Sequence, residues 1–115
     1  MSVDFDLSGP LYGQSAACEP VLRALPDWFG IEAALQQYAA EINLLPTFLA
    51  STPEGVVGFL SLKPHNPYAA EIYVMGVIQA AHRQGTGRAL VADAEKWLLA
   101  HGVEYLQVKT LGPSH

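Results

Sequence analysis

The sequence predicts an α/β fold in which helices pack against one sheet. The chain has 115 residues, of which half are hydrophobic and only 15% are charged, as in a globular domain. Apolar residues alternate with polar ones in some segments, as in strands, and recur at helical spacing in others. We therefore expect one domain over residues 1–115, large enough to bury a core without disulfides or a metal.

The first half of the chain predicts a strand followed by two helices. Alternating apolar residues over 3–7 predict a strand that ends at Gly9-Pro10. A short helix is expected from about Cys18 to Leu25, with Pro20 tolerated only in its first turn. After a break bounded by proline and glycine, helical spacing predicts a second helix from about Ile31 to Asn43.

The second half predicts three strands, a helix and a last strand. Strands over Thr47–Ser51 and Val56–Lys63 are joined by Thr52-Pro53-Glu54-Gly55, because proline and glycine stand where a type I turn favours them. The remaining elements follow in chain order: a strand over Ala70–Ile78, a helix from near Gly87 that stops at Gly102, and a strand over Tyr105–Thr110.

Charge and cysteine content exclude several classes of function. Six basic and eleven acidic residues give a net charge of -5, which argues against nonspecific binding to nucleic acid or to an anionic membrane. The N-terminal sequence is acidic, unlike a secretory signal, and no apolar stretch approaches the length of a membrane span. Cys18 is the only cysteine, so we expect a buried, inert thiol, no metal site and a cytoplasmic protein.

The segment over residues 71–87 carries the chemistry, because a strand runs through a loop into a glycine-rich helix start. Backbone N–H groups and the helix dipole attract phosphate oxygens at such a helix start. Gly85 and Gly87 remove side chains that would hold a phosphate away, and Arg83 and Arg88 can add charge-assisted contacts.

Two familiar phosphate-binding motifs are excluded by their residues. No lysine followed by serine or threonine comes after the glycines, so the loop is not that of nucleoside-triphosphate binders. Leu90 stands where the dinucleotide fingerprint needs a glycine or an alanine.

The run His82-Arg83-Gln84-Gly85-Thr86-Gly87 resembles the acyl-CoA signature of the GNAT superfamily of N-acetyltransferases, Gln/Arg-x-x-Gly-x-Gly/Ala. His82 departs from the family's first position, although backbone amides provide most of the binding there. The resemblance covers nearly the whole chain and implies a mixed sheet flanked by helices. It also implies acetyl-CoA as the acyl donor and no metal, with these residues at the cofactor: Arg83, Gln84, Gly85, Thr86, Gly87 and Arg88.

The same resemblance implies roles for the strand before the loop. Met75 would offer its backbone N–H to the acetyl carbonyl, and Val77 would pair with the pantetheine amide. Gly76 would leave room for the arm or mark a bulge. Glu71, four residues before Met75, resembles the family's general base, which an amine needs because it is mostly protonated near pH 7. The alternative for Met75 and Val77 is that they are simply buried strand residues. The alternative for Glu71 is a solvated carboxylate, in which case water would remove the proton from the amine.

The resemblance also implies an acceptor site near the ends of the strands. Trp28 and Phe29 would form part of its wall, and Tyr73, together with His65 and Tyr68, would contact the acceptor. Ordinary packing or a surface position is the alternative for each of these residues.

We therefore expect transfer of an acetyl group to a primary amine by direct attack, on a small molecule or a protein. The alternative is a noncatalytic acyl-CoA-binding or regulatory module, or an inactive truncated acetyltransferase. Family members continue past Tyr105–Thr110 with a helix and two more strands, so the chain is expected to be C-terminally truncated. The edge of the last strand would then pair with a second copy in a homodimer.

Overall fold

The computed structural model describes residues 5–24, 32–66, 68–78 and 85–103, together with the backbone of 105–108. The order of elements is the predicted one: strand, two helices, three strands, helix and strand. The expected strand start at Val3 and strand end at Thr110 lie outside the described residues. The elements are β1 (Asp6–Leu11), α1 (Ser15–Arg23), α2 (Glu32–Ile42), β2 (Thr47–Thr52), β3 (Gly55–Asn66), β4 (Ala69–Val77), α3 (Thr86–Ala100) and β5 (Tyr105–Val108).

The five strands form one mixed sheet in the order β1-β2-β3-β4-β5. The first four strands are antiparallel to their neighbours, and β5 runs parallel to β4. Strands β2 and β3 form the predicted hairpin, because Thr52 pairs with Gly55 and only Pro53 and Glu54 lie between them. The hydroxyl of Thr52 accepts a hydrogen bond from the Glu54 N–H at 3.2 Å and so stabilises this turn.

A β-bulge at Tyr73 changes which way the rest of β4 faces. The register of β4 against β3 skips one residue between Ile72 and Val74, so Tyr73 is the extra residue. The interpretation of Gly76 as a bulge was wrong, because Gly76 pairs in register with Phe59. Since a bulge interrupts the alternation of side chains, the residues after Tyr73 lie on the faces opposite to those that strict alternation would give.

Two apolar cores pack on opposite faces of the sheet, one beneath α1 and α2 and the other beneath α3. The buried residues of the α1/α2 face are Cys18, Val21, Leu22, Leu35, Ile42, Leu45, Leu49, Phe59, Tyr73 and Val74. Those of the α3 face are Phe48, Ala50, Val57, Leu60, Leu62, Ala70, Ile72, Leu90, Ala94 and Leu98. The sheet therefore separates two environments, and each residue of β4 faces one of them.

Helix α1 begins three residues earlier than the sequence predicts, so the expectation that Pro20 lies in its first turn was wrong. The N–H of Ser15 donates to Oδ1 of Asn43 at 3.0 Å, and this contact satisfies one of the N–H groups at the helix N-terminus. Pro20 lies inside the helix, where it cannot donate to the carbonyl four residues earlier. Full burial of Val21 and Leu22 offsets that lost bond.

Arg23 links the end of α1 to the start of α2. Its guanidinium donates to Glu19 at 2.7 Å within α1 and to Glu32 at 2.9 Å in α2. These hydrogen bonds from Arg23, followed by one from Gln36, lower the pKa of Glu32 to about 2. All these groups are exposed. We therefore expect their ion pairs to fix how α1 and α2 lie relative to each other and to add little to the free energy of unfolding.

Helix α3 ends where the sequence predicts. Gly102 takes a left-handed conformation, with φ of +79°, and donates its N–H to the Leu99 carbonyl. The next N–H, from Val103, returns to the Leu98 carbonyl at 3.0 Å, which completes a Schellman motif. None of the helices in the described ranges is long and apolar enough to cross a membrane.

Candidate active site

The start of α3 has the geometry of an anion-binding helix end. Gly85 is the N-cap residue, with φ of +77°, and a Cβ placed on it would meet nothing within 4 Å. The first intrahelical bond runs from the Ala89 N–H to the Gly85 carbonyl, so the first-turn N–H groups point towards the open end. That turn contains no acidic residue, and Arg88 is exposed beside it, which favours a negative ligand.

The side chain of Thr86 faces the sheet and leaves only its backbone at the helix end. Thr86 is 1% exposed, and its Cγ2 lies where a Cβ on Gly58 would come within 3.2 Å. The same Cβ would lie 3.2 Å from Cγ2 of Val77. Gly58 therefore lets α3 approach β3 and β4 closely. Sequence analysis missed this role, although an isolated glycine inside a strand signals close packing.

The backbone of β4 presents two N–H groups towards the side on which β5 lies. The Ile78 N–H donates to the Val57 carbonyl of β3 at 2.9 Å. Because N–H groups of an antiparallel strand alternate in direction, those of Met75 and Val77 face away from β3. Strand β5 pairs with this edge of β4 from Ala69 to Ile72 over its own described range. Met75 and Val77 lie on the same edge, which is predicted to bind the acyl arm.

Gly87 brings the helix start and this edge of β4 together. A Cβ on Gly87 would lie 3.3 Å from Cε of Met75 and 3.8 Å from Cγ2 of Val77. The space that Gly87 leaves therefore lies towards β4. Gly87 thus lies beside Met75 and Val77, and the cofactor-binding roles of these residues stay predictions.

Glu71 lies on the α1/α2 face of β4, where it contacts His65. Its Oε1 is 2.6 Å from Nε2 of His65, which belongs to β3. The Glu71 side chain is 13% exposed, whereas that of His65 is 40% exposed. A carboxylate with restricted access to water thus has one imidazole partner that reaches the solvent.

Tyr73 lies on the same face, between a cation and a second tyrosine. The Nζ atom of Lys63 is 5.2 Å from the centre of the Tyr73 ring, and the Tyr38 ring centre is 5.7 Å away. Burial first, and then the nearby charge of Glu41, raise the pKa of Tyr73. Its hydroxyl therefore keeps its proton near neutral pH. Sequence analysis singled out Tyr73 but missed Lys63 and Tyr38, whose proximity depends on the tertiary fold.

Four predicted site residues lie outside the described residues. Trp28 and Phe29 were predicted for the acceptor wall, and Arg83 and Gln84 for the cofactor loop. Among the described residues, no group of three or more histidine, cysteine, aspartate or glutamate side chains is arranged to hold a metal ion.

The fold is similar to that of solved acetyltransferase structures. One is a GNAT-family acetyltransferase from Desulfovibrio desulfuricans described as putative, with a TM-score of 0.75 and 18% identity, matched over 92% of this chain and 73% of that one. Another is AAC(6')-Iy in complex with the bisubstrate analogue CoA-S-monomethyl-acetylneamine, with a TM-score of 0.68 and 16% identity over 92% and 79% of the two chains. At these identities the likeness shows the shared fold.

The sequence itself also matches acetyltransferases. A Bacillus subtilis protein described as the uncharacterized N-acetyltransferase YuaI is 37% identical over 65 residues, which is 52% of this chain. The match spans only 38% of that relative's length. The sequence model described as the Acetyltransferase (GNAT) family matches residues 17–114, which is most of the chain. The chain therefore belongs to the GNAT family of acetyltransferases.

Proposed function

We propose that the protein transfers an acetyl group from acetyl-CoA to a primary amine. The observation that carries this proposal is the close approach of the α3 start to β4, where a Cβ on Gly87 would lie 3.3 Å from Met75. An anion-binding helix end thus stands beside strand N–H groups that face away from β3. These two elements suit a donor that has phosphates at one end and an acyl group at the other.

The phosphate end of the donor would bind at the start of α3. Backbone N–H groups of Gly87 and Arg88 would hold the pyrophosphate, and the exposed guanidinium of Arg88 would add a charge-assisted contact. The buried side chain of Thr86 supports a role for its backbone alone. Arg83, Gln84 and Gly85 complete the proposed loop.

The acyl end would lie along β4. The Met75 N–H would donate to the acyl carbonyl oxygen, where negative charge grows as the amine attacks. Val77 would pair with an amide of the arm, and Gly76 would give the arm room. The direction of the Ile78 hydrogen bond supports these positions, because it requires the alternate N–H groups to face the other way.

Glu71 would act as the general base. An aliphatic amine is mostly protonated at neutral pH and must lose a proton before it can attack the carbonyl carbon. The C–N bond then forms and the C–S bond breaks, and the departing thiolate takes the second proton of the attacking nitrogen, so that coenzyme A leaves as the thiol. The restricted exposure of Glu71 supports this role, as does its position four residues before Met75.

The acceptor would approach over the α1/α2 face of the sheet. Tyr73 lies on that face, and Trp28 and Phe29 would provide the rest of the wall. The net charge of -5 supports a cationic acceptor. The AAC(6')-Iy complex with a CoA–neamine analogue supports a small-molecule amine as the class of acceptor to test first.

The test is coenzyme A release from acetyl-CoA over a panel of aminoglycosides, polyamines, amino acids and peptides. We expect amine-dependent release, and a kcat about 100-fold lower in Glu71→Gln at unchanged acetyl-CoA affinity. Glu54→Gln, in the exposed β2–β3 turn, is the matched control and should keep full activity. Binding of acetyl-CoA without release for any amine would favour the noncatalytic module, and full turnover in Glu71→Gln would remove the proposed base.

A further inference from the structure

We infer that His65 is a positioning residue for Glu71 and that, through Glu71, His65 makes the rate of acetyl transfer depend on pH. In this arrangement the Nε2–H of His65 donates to Oε1 of Glu71 and leaves Oε2 to take the proton of the acceptor amine. The inference rests on the proposed function, in which Glu71 is the base. Its evidence is the 2.6 Å contact and the positions of the surrounding charges.

The local strand geometry brings His65 to Glu71. Between β3 and β4, Pro64 pairs with Ala70 and Asn66 with Ala69, so His65 is an extra residue in β3. Such a bulge redirects a side chain relative to the regular strand. The side chain of Asn66 fixes the turn that follows, because its Oδ1 accepts the Tyr68 N–H at 2.8 Å.

Lys63 is the residue directly opposite Glu71 in the strand register, yet its side chain is directed towards Tyr73. A lysine and a glutamate at paired positions of two strands would ordinarily form a cross-strand ion pair. The Lys63 Nζ lies instead over the ring of Tyr73, at 5.2 Å from its centre. Glu71 thus has as its close partner a histidine, which carries a charge only when it is protonated, and not a permanent cation.

The protonation state of this partner affects how well Glu71 can act. Neutral His65 orients the carboxylate through one hydrogen bond and leaves it a competent base. Protonated His65 places a full positive charge beside the carboxylate, which favours its anionic form and makes it a weaker base. Among the described residues, the other ionisable groups on this face include Lys63 of β3, Tyr73 of β4, Tyr38 and Glu41 of α2, and the buried Cys18 of α1.

The proton transfer from the acceptor ammonium to the pair of Glu71 and His65 needs no further reactant. In the reactive form, the N–H bond of the acceptor ammonium breaks and an O–H bond forms on Oε2 of Glu71. His65 keeps its Nε2–H throughout and holds Oε1. After the product leaves, Glu71 releases the proton to water and returns to the carboxylate.

The test compares the pH profiles of kcat for the wild type, His65→Gln and His65→Ala. The Gln amide can still donate to Glu71 but does not titrate, so we expect kcat within about threefold of wild type near pH 8. Its acidic limb should move to lower pH by about one unit or more. His65→Ala removes the donor, and we expect a roughly tenfold lower kcat near pH 8, with an unchanged KM for acetyl-CoA. His101→Gln, immediately after the end of α3, is the matched control and should match the wild type.

A double variant separates positioning from a general structural effect. If His65 acts only through Glu71, His65→Ala should cost less than about threefold in kcat when added to Glu71→Gln. Additive losses, an unmoved acidic limb in His65→Gln, or a wild-type kcat in His65→Ala would each overturn the inference while leaving acetyl transfer intact. Absence of transfer by the wild type would instead contradict the proposed function, and the inference with it.

Discussion

Cys18 shows how the environment of a single residue decides its chemistry. It is fully buried in the core beneath α1 and α2, and burial raises the pKa of its thiol from 9.0 to about 12. The reactive form of a cysteine is the thiolate, so the native protein presents neither the charge nor the access that alkylation requires.

We predict that iodoacetamide does not label Cys18 in the native protein at pH 8 and labels it fully in urea. Mass spectrometry of the intact chain measures both states. The pKa of this acid is higher in the folded state, so the unfolded chain loses the proton first, and stability should fall as pH rises above about 9. Rapid native labelling at pH 8, at the rate found in urea, would show that Cys18 is accessible.

The site residues divide into those that local sequence reveals and those that need the tertiary fold. The glycine-rich start of α3 could be predicted, because its signals, Gly85 and Gly87, stand next to the helix in the sequence. Met75 and Val77 followed from the family resemblance, and the bulge at Tyr73 explains why their N–H groups face the β5 side. The pairing of Glu71 with His65 could not be predicted, since it depends on a strand register and a second bulge.

At the scale of elements, α3 packs closely on the sheet because Gly58 has no side chain at the point of contact. A Cβ on Gly58 would lie 3.2 Å from both the Thr86 and Val77 methyl groups and 3.3 Å from the Gly76 carbonyl oxygen. Both side chains are β-branched and so have few alternative rotamers into which to retreat. The position of the α3 start relative to β4, and with it the donor site, therefore depends on Gly58.

We predict that Gly58→Ala lowers the free energy of unfolding by about 1–2 kcal/mol, because it overpacks this contact. Thr86→Ser should cost about 1 kcal/mol through the loss of a buried methyl group. The double variant should lose less than the two single variants combined, since serine makes room for the new Cβ. Urea denaturation of the four proteins measures this coupling, and strictly additive losses would contradict the close contact.

The helix boundaries mark where sequence reasoning failed at this scale. The end of α3 was predicted because its signal, Gly102, is local and takes the required left-handed conformation. The start of α1 was missed because its N-terminus is satisfied by the side chain of Asn43, 28 residues away. A capping group supplied by a distant part of the chain leaves no signal next to the helix.

For the molecule as a whole, the two faces of the sheet carry different parts of the proposed site. The side chains of Glu71 and Tyr73 lie on the face of α1 and α2, whereas those of Met75 and Val77 pack on the face of α3. The order of elements that produces this separation was predicted from periodicity alone. The resemblance to the acyl-CoA signature then predicted the family, which the match over residues 17–114 confirms.

The central claim is that acetyl-CoA binds where the start of α3 meets β4, and isothermal titration calorimetry tests it most directly. We predict that the wild type binds acetyl-CoA with a Kd of roughly 1–100 μM. Gly87→Val should bind at least about tenfold more weakly, because the branched side chain would displace Met75 into the path of the arm. Ala92→Val, at an exposed position of the same helix, controls for the effect of valine on α3. Equal affinity of Gly87→Val and the wild type would contradict the claim, whereas a loss confined to Gly87→Val is the result that the structure predicts.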